Sequence, residues 1–232
     1  MTQLIREIAF DTETTGLNPN DGDRVIEIGA VEMINHIPTG KTFHTRINPR
    51  RSVSEATIRI TGLTDEHLKD APFFEEEHVV GAFMEFIGDA TLVAHNAGFD
   101  RGFLNMELAL CGRDPVPDDR WLDTAALARR KYPGAPASLD ALCKRFDISL
   151  ESRTLHGALL DSQLLASVYL ELLGGRARAF TFDAPETELA AGGRRAARQR
   201  PQKLPSLMTE SEKAAHAAFI ETLGPDCLWK QA

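Results

Sequence analysis

The sequence predicts an α/β domain built on a mixed sheet flanked by helices, then a flexible tether and a short helical tail. Three observations lead there. Three strand-like runs open the chain, and helical and strand-like periods alternate after them. Composition then shifts abruptly at Gly174-Gly175.

The first run, Ile5 to Phe10, is mostly apolar and reads as a buried strand closed by Asp11, with Thr14-Thr15-Gly16 as the turn after it. Arg24 to Met33 and Lys41 to Ile47 read as strands two and three. Phe73 to Ile87, with Val79, Val80, Phe83 and Ile87 at helical spacing, reads as a helix on the sheet, and Phe73, Phe74, Phe83 and Phe86 read as core. Leu92-Val93-Ala94 is a further short strand, running into a helix through Phe103, Leu104 and Leu108. A last helix of this domain follows Gly157 and continues through Leu164, Leu165, Val168 and Leu172.

Residues 1–173 hold 17 basic and 27 acidic side chains, whereas 174–205 hold 7 and 3. Gly, Ala, Pro and Arg dominate that second stretch as far as Pro205, without apolar periodicity, so it reads as a tether with an r.m.s. span of roughly 30 Å. In residues 206–232, Thr209-Glu210-Ser211-Glu212 reads as a capping box, Ala215, Phe219 and Leu223 form an apolar stripe, and Gly224-Pro225 stops the helix. So short a helix is marginal alone and needs a surface to dock on. Trp229 is the kind of aromatic anchor that interfaces favour.

Composition narrows the function classes. The chain of 232 residues carries a net charge of −8, which argues against tight, unaided binding to a nucleic-acid backbone. Arg6, Glu7, Asp11 and Glu13 leave no room for a secretory signal core, and no apolar run reaches the roughly 18 residues of a membrane span. A cytoplasmic location is expected. Cys111, Cys143 and Cys227 are odd in number and widely spaced, which fits reduced thiols.

The chemistry lies in five residues. Asp11 and Glu13 point to one side if the strand continues through them, with Cα atoms roughly 7 Å apart. Two like charges at a strand end are costly unless a cation neutralises them, and hard divalent ions take oxygen ligands. Asp100 sits at a helix start, where open α/β sheets place ligands. Positions five apart on one helix diverge by roughly 140°, so His156 belongs to the loop before the last helix if it shares a site with Asp161. An imidazole, titrating near pH 6.5 in its ordinary state, suits a general base.

Together, Asp-x-Glu-Thr-Thr-Gly from Asp11, His-Asn-Ala-x-Phe-Asp from His95 and Leu-His-Gly-Ala-Leu-Leu-Asp from Leu155 resemble the three motifs of the DEDDh, or DnaQ-like, 3′ to 5′ exonucleases. Arg24 to Val31, Ser138 to Cys143 and Cys227-Leu228-Trp229 are similar to the epsilon proofreading subunits of bacterial DNA polymerase III within that family. The resemblance implies a ribonuclease H-like fold and two divalent cations, Mg²⁺ or Mn²⁺. It implies Asp11, Glu13 and Asp161 as direct ligands that also meet the substrate, Asp100 as a ligand acting through water, and His156 as the base. The implied substrate is a DNA 3′ end, single-stranded or frayed, and the implied partner is the polymerase alpha subunit, held by the C-terminal segment.

Two departures stand out. Family members commonly carry a glutamate that contacts the terminal nucleotide and, further on, a histidine before a glycine. Here Thr61 stands in the histidine's place, and Glu55 is the nearest acidic candidate for the nucleotide contact, although a gap-free match puts Ala56 there. Clamp-binding members carry a glutamine-led motif just after the nuclease domain, and Arg176 to Phe182 lacks the glutamine. Two other readings compete: a free-standing nuclease trimming RNA 3′ ends, disfavoured by the tether and tail, and an aspartate-nucleophile phosphatase, disfavoured by Glu13 where a second aspartate is usual.

Overall fold

The computed structural model describes residues 4–151, 153, 155–175 and 209–222. They belong to two compact units, Met1–Phe182 and Asp183–Ala232. The clamp-motif segment, all but the first two residues of the tether, and the expected Gly224-Pro225 stop and Cys227-Leu228-Trp229 end lie outside the described residues.

Five strands form one sheet in the order β3-β2-β1-β4-β5. They are β1 (Arg6–Thr14), β2 (Val25–Ile34), β3 (Ile37–Arg46), β4 (Thr91–Ala94) and β5 (Trp121–Asp123). The first three are antiparallel neighbours, while β4 lies parallel to β1 and β5 parallel to β4. The sheet is therefore mixed, as the order of periodicities implies.

Asp11 does not close the first strand. β1 runs on to Thr14, because β2 keeps pairing with it through Glu13 opposite Glu27 before a bulge. β3 begins at Ile37, four residues earlier than Lys41, because Asn35 and His36 adopt φ of 50° and 68° and turn the chain in a two-residue hairpin.

The helices are α1 (Glu55–Thr61), α2 (Asp65–Leu68), α3 (Glu77–Ile87), α4 (Ala97–Leu110), α5 (Thr124–Lys131), α6 (Leu139–Arg145) and α7 (Ala158–Leu172) in the first unit, and α8 (Glu210–Thr222) in the second. The expected helix from Phe73 starts only at Glu77. Ahead of it the chain turns, with Glu76 accepting from the Phe73 amide at 2.8 Å.

Side chains alternate across a strand, and β1 uses both faces. Ile8 and Phe10 join Ile28, Ala30 and Leu92 beneath Phe83 and Ile87 of α3 and Phe103, Leu104 and Leu108 of α4. Ala9 joins Val31, Met33 and Val93 beneath Leu165, Ala166 and Tyr169 of α7. Phe10 is fully buried, with ring centres 5.5 Å from Phe83 and 5.8 Å from Trp121. Burial of such a side chain contributes roughly 2–3 kcal/mol.

α7 lies unusually close to the sheet. A Cβ on Gly29 would fall 2.1 Å from the Ala158 carbonyl carbon, so only glycine admits the helix there. Ser162 Oγ then donates to the Gly29 carbonyl at 2.8 Å. Gly157, the N-cap of α7, has no side chain to offer the orphan amides of the first turn. Glu27 of β2 supplies it instead, accepting from the Ala158 amide at 2.8 Å.

In the second unit, α8 opens with the reciprocal bonds of a capping box. The Thr209 amide donates to Glu212 Oε2 at 2.7 Å, and the Glu212 amide to Thr209 Oγ1 at 3.3 Å.

Candidate active site

The alternation that sends Ala9 toward α7 sends Asp11 and Glu13 the same way, while Thr12 faces α4. Carboxylates therefore reach the end of β1 from both layers. Asp161 comes from the first turn of α7 and Asp100 from the first turn of α4. The site lies at the carboxyl ends of the adjacent parallel strands β1 and β4, where open α/β sheets bind ligands.

Asp100 is buried and anchored: the Thr12 amide and hydroxyl donate to its Oδ1 at 3.0 and 2.8 Å. Burial nonetheless outweighs those bonds and pushes its carboxyl up to about 7. Burial, then the charges of Asp161, Glu27 and Asp100, push Glu13 up to about 8. Asp11 is raised well above the usual carboxylate range by burial and by the neighbouring Asp100, Glu13 and Asp161. Burial pushes Glu27 upward too, but His44 at 2.9 Å and the Ala158 amide hold it below its ordinary value. It therefore keeps its charge beside Glu13.

His156 lies on the loop before α7, its amide donating to the Ile60 carbonyl at 3.0 Å. One ligand atom each from Glu13, His156 and Asp161 lie within 4.8 Å of one another. Crowded carboxylates that resist ionisation, with an imidazole at hand, are a donor set suited to divalent cations.

The sequence reading missed Arg153. From the loop between α6 and α7 its Nε and Nη2 donate to the two oxygens of Asp161, each at 2.6 Å, and Nη1 pairs with Asp140. A lone arginine in a loop has no motif to mark it.

Asp11, Asp161, His156 and Arg153 open into a cavity of about 990 Å³, whose far wall includes His95, Asn96, Arg129 and Ser138. A second, mostly apolar pocket of about 300 Å³ adjoins Glu13 and is walled by Leu17, Ala56, Thr57, Ile60, Thr61 and Phe99. Thr61 is buried there, its hydroxyl donating to the Thr57 carbonyl at 3.0 Å and accepting from the Leu63 amide at 3.1 Å. Glu55 stands exposed in the first turn of α1 and is not among the residues that line this pocket.

A mixed sheet of this order, with carboxylates gathered from both layers and a loop histidine, defines a metal-dependent nuclease of the exonuclease class. The exonuclease family model matches residues 8–169, and the chain belongs to that family and, within it, to the epsilon subunits of DNA polymerase III. It is 42% identical to the Escherichia coli DNA polymerase III subunit epsilon over 99% of both chains. It is 49% identical to the Rickettsia conorii subunit, over 76% of this chain and 77% of that one. Among solved structures it is similar to exonuclease X in complex with 5′ overhanging duplex DNA, at 27% identity and a TM-score of 0.55, over 73% of this chain and 90% of that one. The nuclease domain of 3′hExo, a DEDDh family member bound to rAMP, shares the fold at 20% identity and a TM-score of 0.63, covering 74% and 93% of the two chains.

Proposed function

We infer that this chain is the proofreading 3′ to 5′ exonuclease subunit of a replicative DNA polymerase, removing mispaired 3′-terminal deoxynucleotides. The observation that carries this reading is the convergence of Asp11, Glu13, Asp100 and Asp161 from both layers on one strand end, with His156 beside them.

The donor set fits two divalent cations, Mg²⁺ or Mn²⁺. Asp11, Glu13 and Asp161 would hold them directly, and Asp100, with Thr12 on one oxygen, through water. When bound, such a pair of ions supplies Lewis-acid activation of a water and neutralises charge on the scissile phosphate and leaving 3′ oxygen. The chain's own residues do the rest. His156 takes a proton from the attacking water, and the half-exposed position of its ring suits that role. The apolar pocket beside Glu13 takes the terminal nucleoside. Thr61 serves there as wall, since its hydroxyl is already engaged, and Ala56 lines the pocket where Glu55 does not. The wider cavity admits the strand behind the terminal nucleotide, with Arg129 at its wall to meet a phosphate.

The relatives' shared name, a subunit of DNA polymerase III, supports a place in a polymerase assembly, and we propose that residues 206–232 attach the chain to the polymerase alpha subunit. Phe219, 60% exposed on α8, is an apolar side chain suited to that contact. No helix among the described residues is long and apolar enough to cross a membrane, in keeping with a replication protein of the cytoplasm.

The test is hydrolysis of a 5′-labelled DNA primer with a mispaired 3′ end, and of an RNA of equal length, in Mg²⁺ or EDTA. Stepwise shortening of the DNA that needs Mg²⁺ and is lost in His156→Ala is the expected result. Marked preference for RNA would instead favour an RNA-trimming enzyme.

A further inference from the structure

Arg153 sits where the carboxylate cluster offers a place to a cation. It engages both oxygens of Asp161 at 2.6 Å, pairs with Asp140 through Nη1, and brings Nη2 to 2.9 Å from His156 Nδ1. Its side chain is 8% exposed.

A guanidinium donates and never accepts. Where Nδ1 of His156 accepts from it, the neutral imidazole carries its proton on Nε2, and the same Nδ1 lies 3.3 Å from Asp161 Oδ2. In that tautomer the Nδ1 lone pair is engaged by Arg153. A single side chain thus restrains both an expected cation ligand and the expected base.

Charge balance gives the consequence. Asp11, Glu13, Asp100 and Asp161 match two divalent cations in total charge, so Arg153 becomes surplus and is repelled when such ions bind. A route out exists, because Asp140 is already bonded to Nη1, is half exposed and lines the same cavity.

We propose that Arg153 is a displaceable counter-cation: it and a divalent cation compete for Asp161, and its departure toward Asp140 breaks its contact with the His156 ring. Arg153 is on this account a positioning residue, and the proposal rests on the divalent-cation reading of the site.

The test is calorimetric titration of Mn²⁺ into the full chain and into Arg153→Ala and Arg153→Lys, with the His156 ring-nitrogen resonances followed in parallel during Mg²⁺ titration. Arg153→Ala should bind Mn²⁺ about tenfold more tightly than the parent, the weight of one charge-assisted hydrogen bond. Arg153→Lys, which keeps the charge but not the fork, should fall between. The His156 resonances should shift on adding Mg²⁺ to the parent and already be shifted in Arg153→Ala before any is added. Equal or weaker Mn²⁺ binding by the variants, with the parent binding normally, overturns the role of Arg153 alone. Absence of binding by parent and variants alike overturns the cation reading and this proposal with it. If Arg153→Ala does not fold, Arg153→Lys decides by the same comparison.

Discussion

Glu13 and Asp100 hold their protons to about pH 8 and 7 in the folded chain, against ordinary values near 4 in an unfolded one. Between those limits the folded state binds more protons than the unfolded state, so stability falls as pH rises through about 4 to 8. In EDTA the melting temperature should therefore drop from pH 5 to pH 8.5, and saturating Mg²⁺ should flatten that slope by neutralising the ionised forms. Identical slopes with and without Mg²⁺ would show that these carboxylates do not meet the ion. Thr12→Val removes the hydroxyl that donates to Asp100 at 2.8 Å and leaves the amide in place. With Asp100 ionised by a bound cation, loss of one bond to it costs about 1.5–3 kcal/mol, and where that loss falls on the transition state turnover drops roughly 10- to 100-fold, which single-turnover hydrolysis would measure. Asp11, Glu13, Asp100, His156 and Asp161 could be read from the sequence because each stands in a distinctive local motif. Arg153 could not, since its role arises only where the loop before α7, Asp140 of α6 and Asp161 of α7 come together.

The close approach of α7 to β2 sets the position of Asp161. Gly29→Ala would drive a methyl into the Ala158 backbone, forcing the helix outward and costing about 1–3 kcal/mol in stability. Hydrolysis should fall further than stability alone explains, and chemical denaturation beside an activity assay on the folded fraction separates the two. Glu27→Ala should act more mildly, removing the acceptor for the Ala158 amide at a cost of about 1 kcal/mol as for other lost caps, with denaturation midpoints as the check. The elements that sequence periodicity exposed are those with long apolar patterns, such as β1, β2 and α3. β5 has only Trp121, Leu122 and Asp123, too few for a period to show. α5 buries only Thr124, Ala125 and Ala128, so its inward face is small side chains that periodicity does not mark. Asp11 reads as a strand terminator in the sequence, whereas pairing with β2 carries β1 past it.

The chain divides into two compact units, Met1–Phe182 and Asp183–Ala232, and on the function proposed above the first would carry catalysis and the second attachment. A chain ending at Phe182 should keep metal-dependent hydrolysis of single-stranded DNA but no longer co-elute with the polymerase alpha subunit on gel filtration. Retained co-elution would place the attachment on the nuclease unit. The acidic net charge of −8 agrees with this division, because a nuclease held at the primer by its polymerase has less need of its own basic surface. Carboxylates from both layers are proposed to hold divalent cations at the end of β1, and Mn²⁺ anomalous diffraction from crystals of the full chain reads that site directly. The expected result is anomalous density among Asp11, Glu13 and Asp161. Ordered crystals soaked in Mn²⁺ with no density there, or with Mn²⁺ held only elsewhere, would contradict the account.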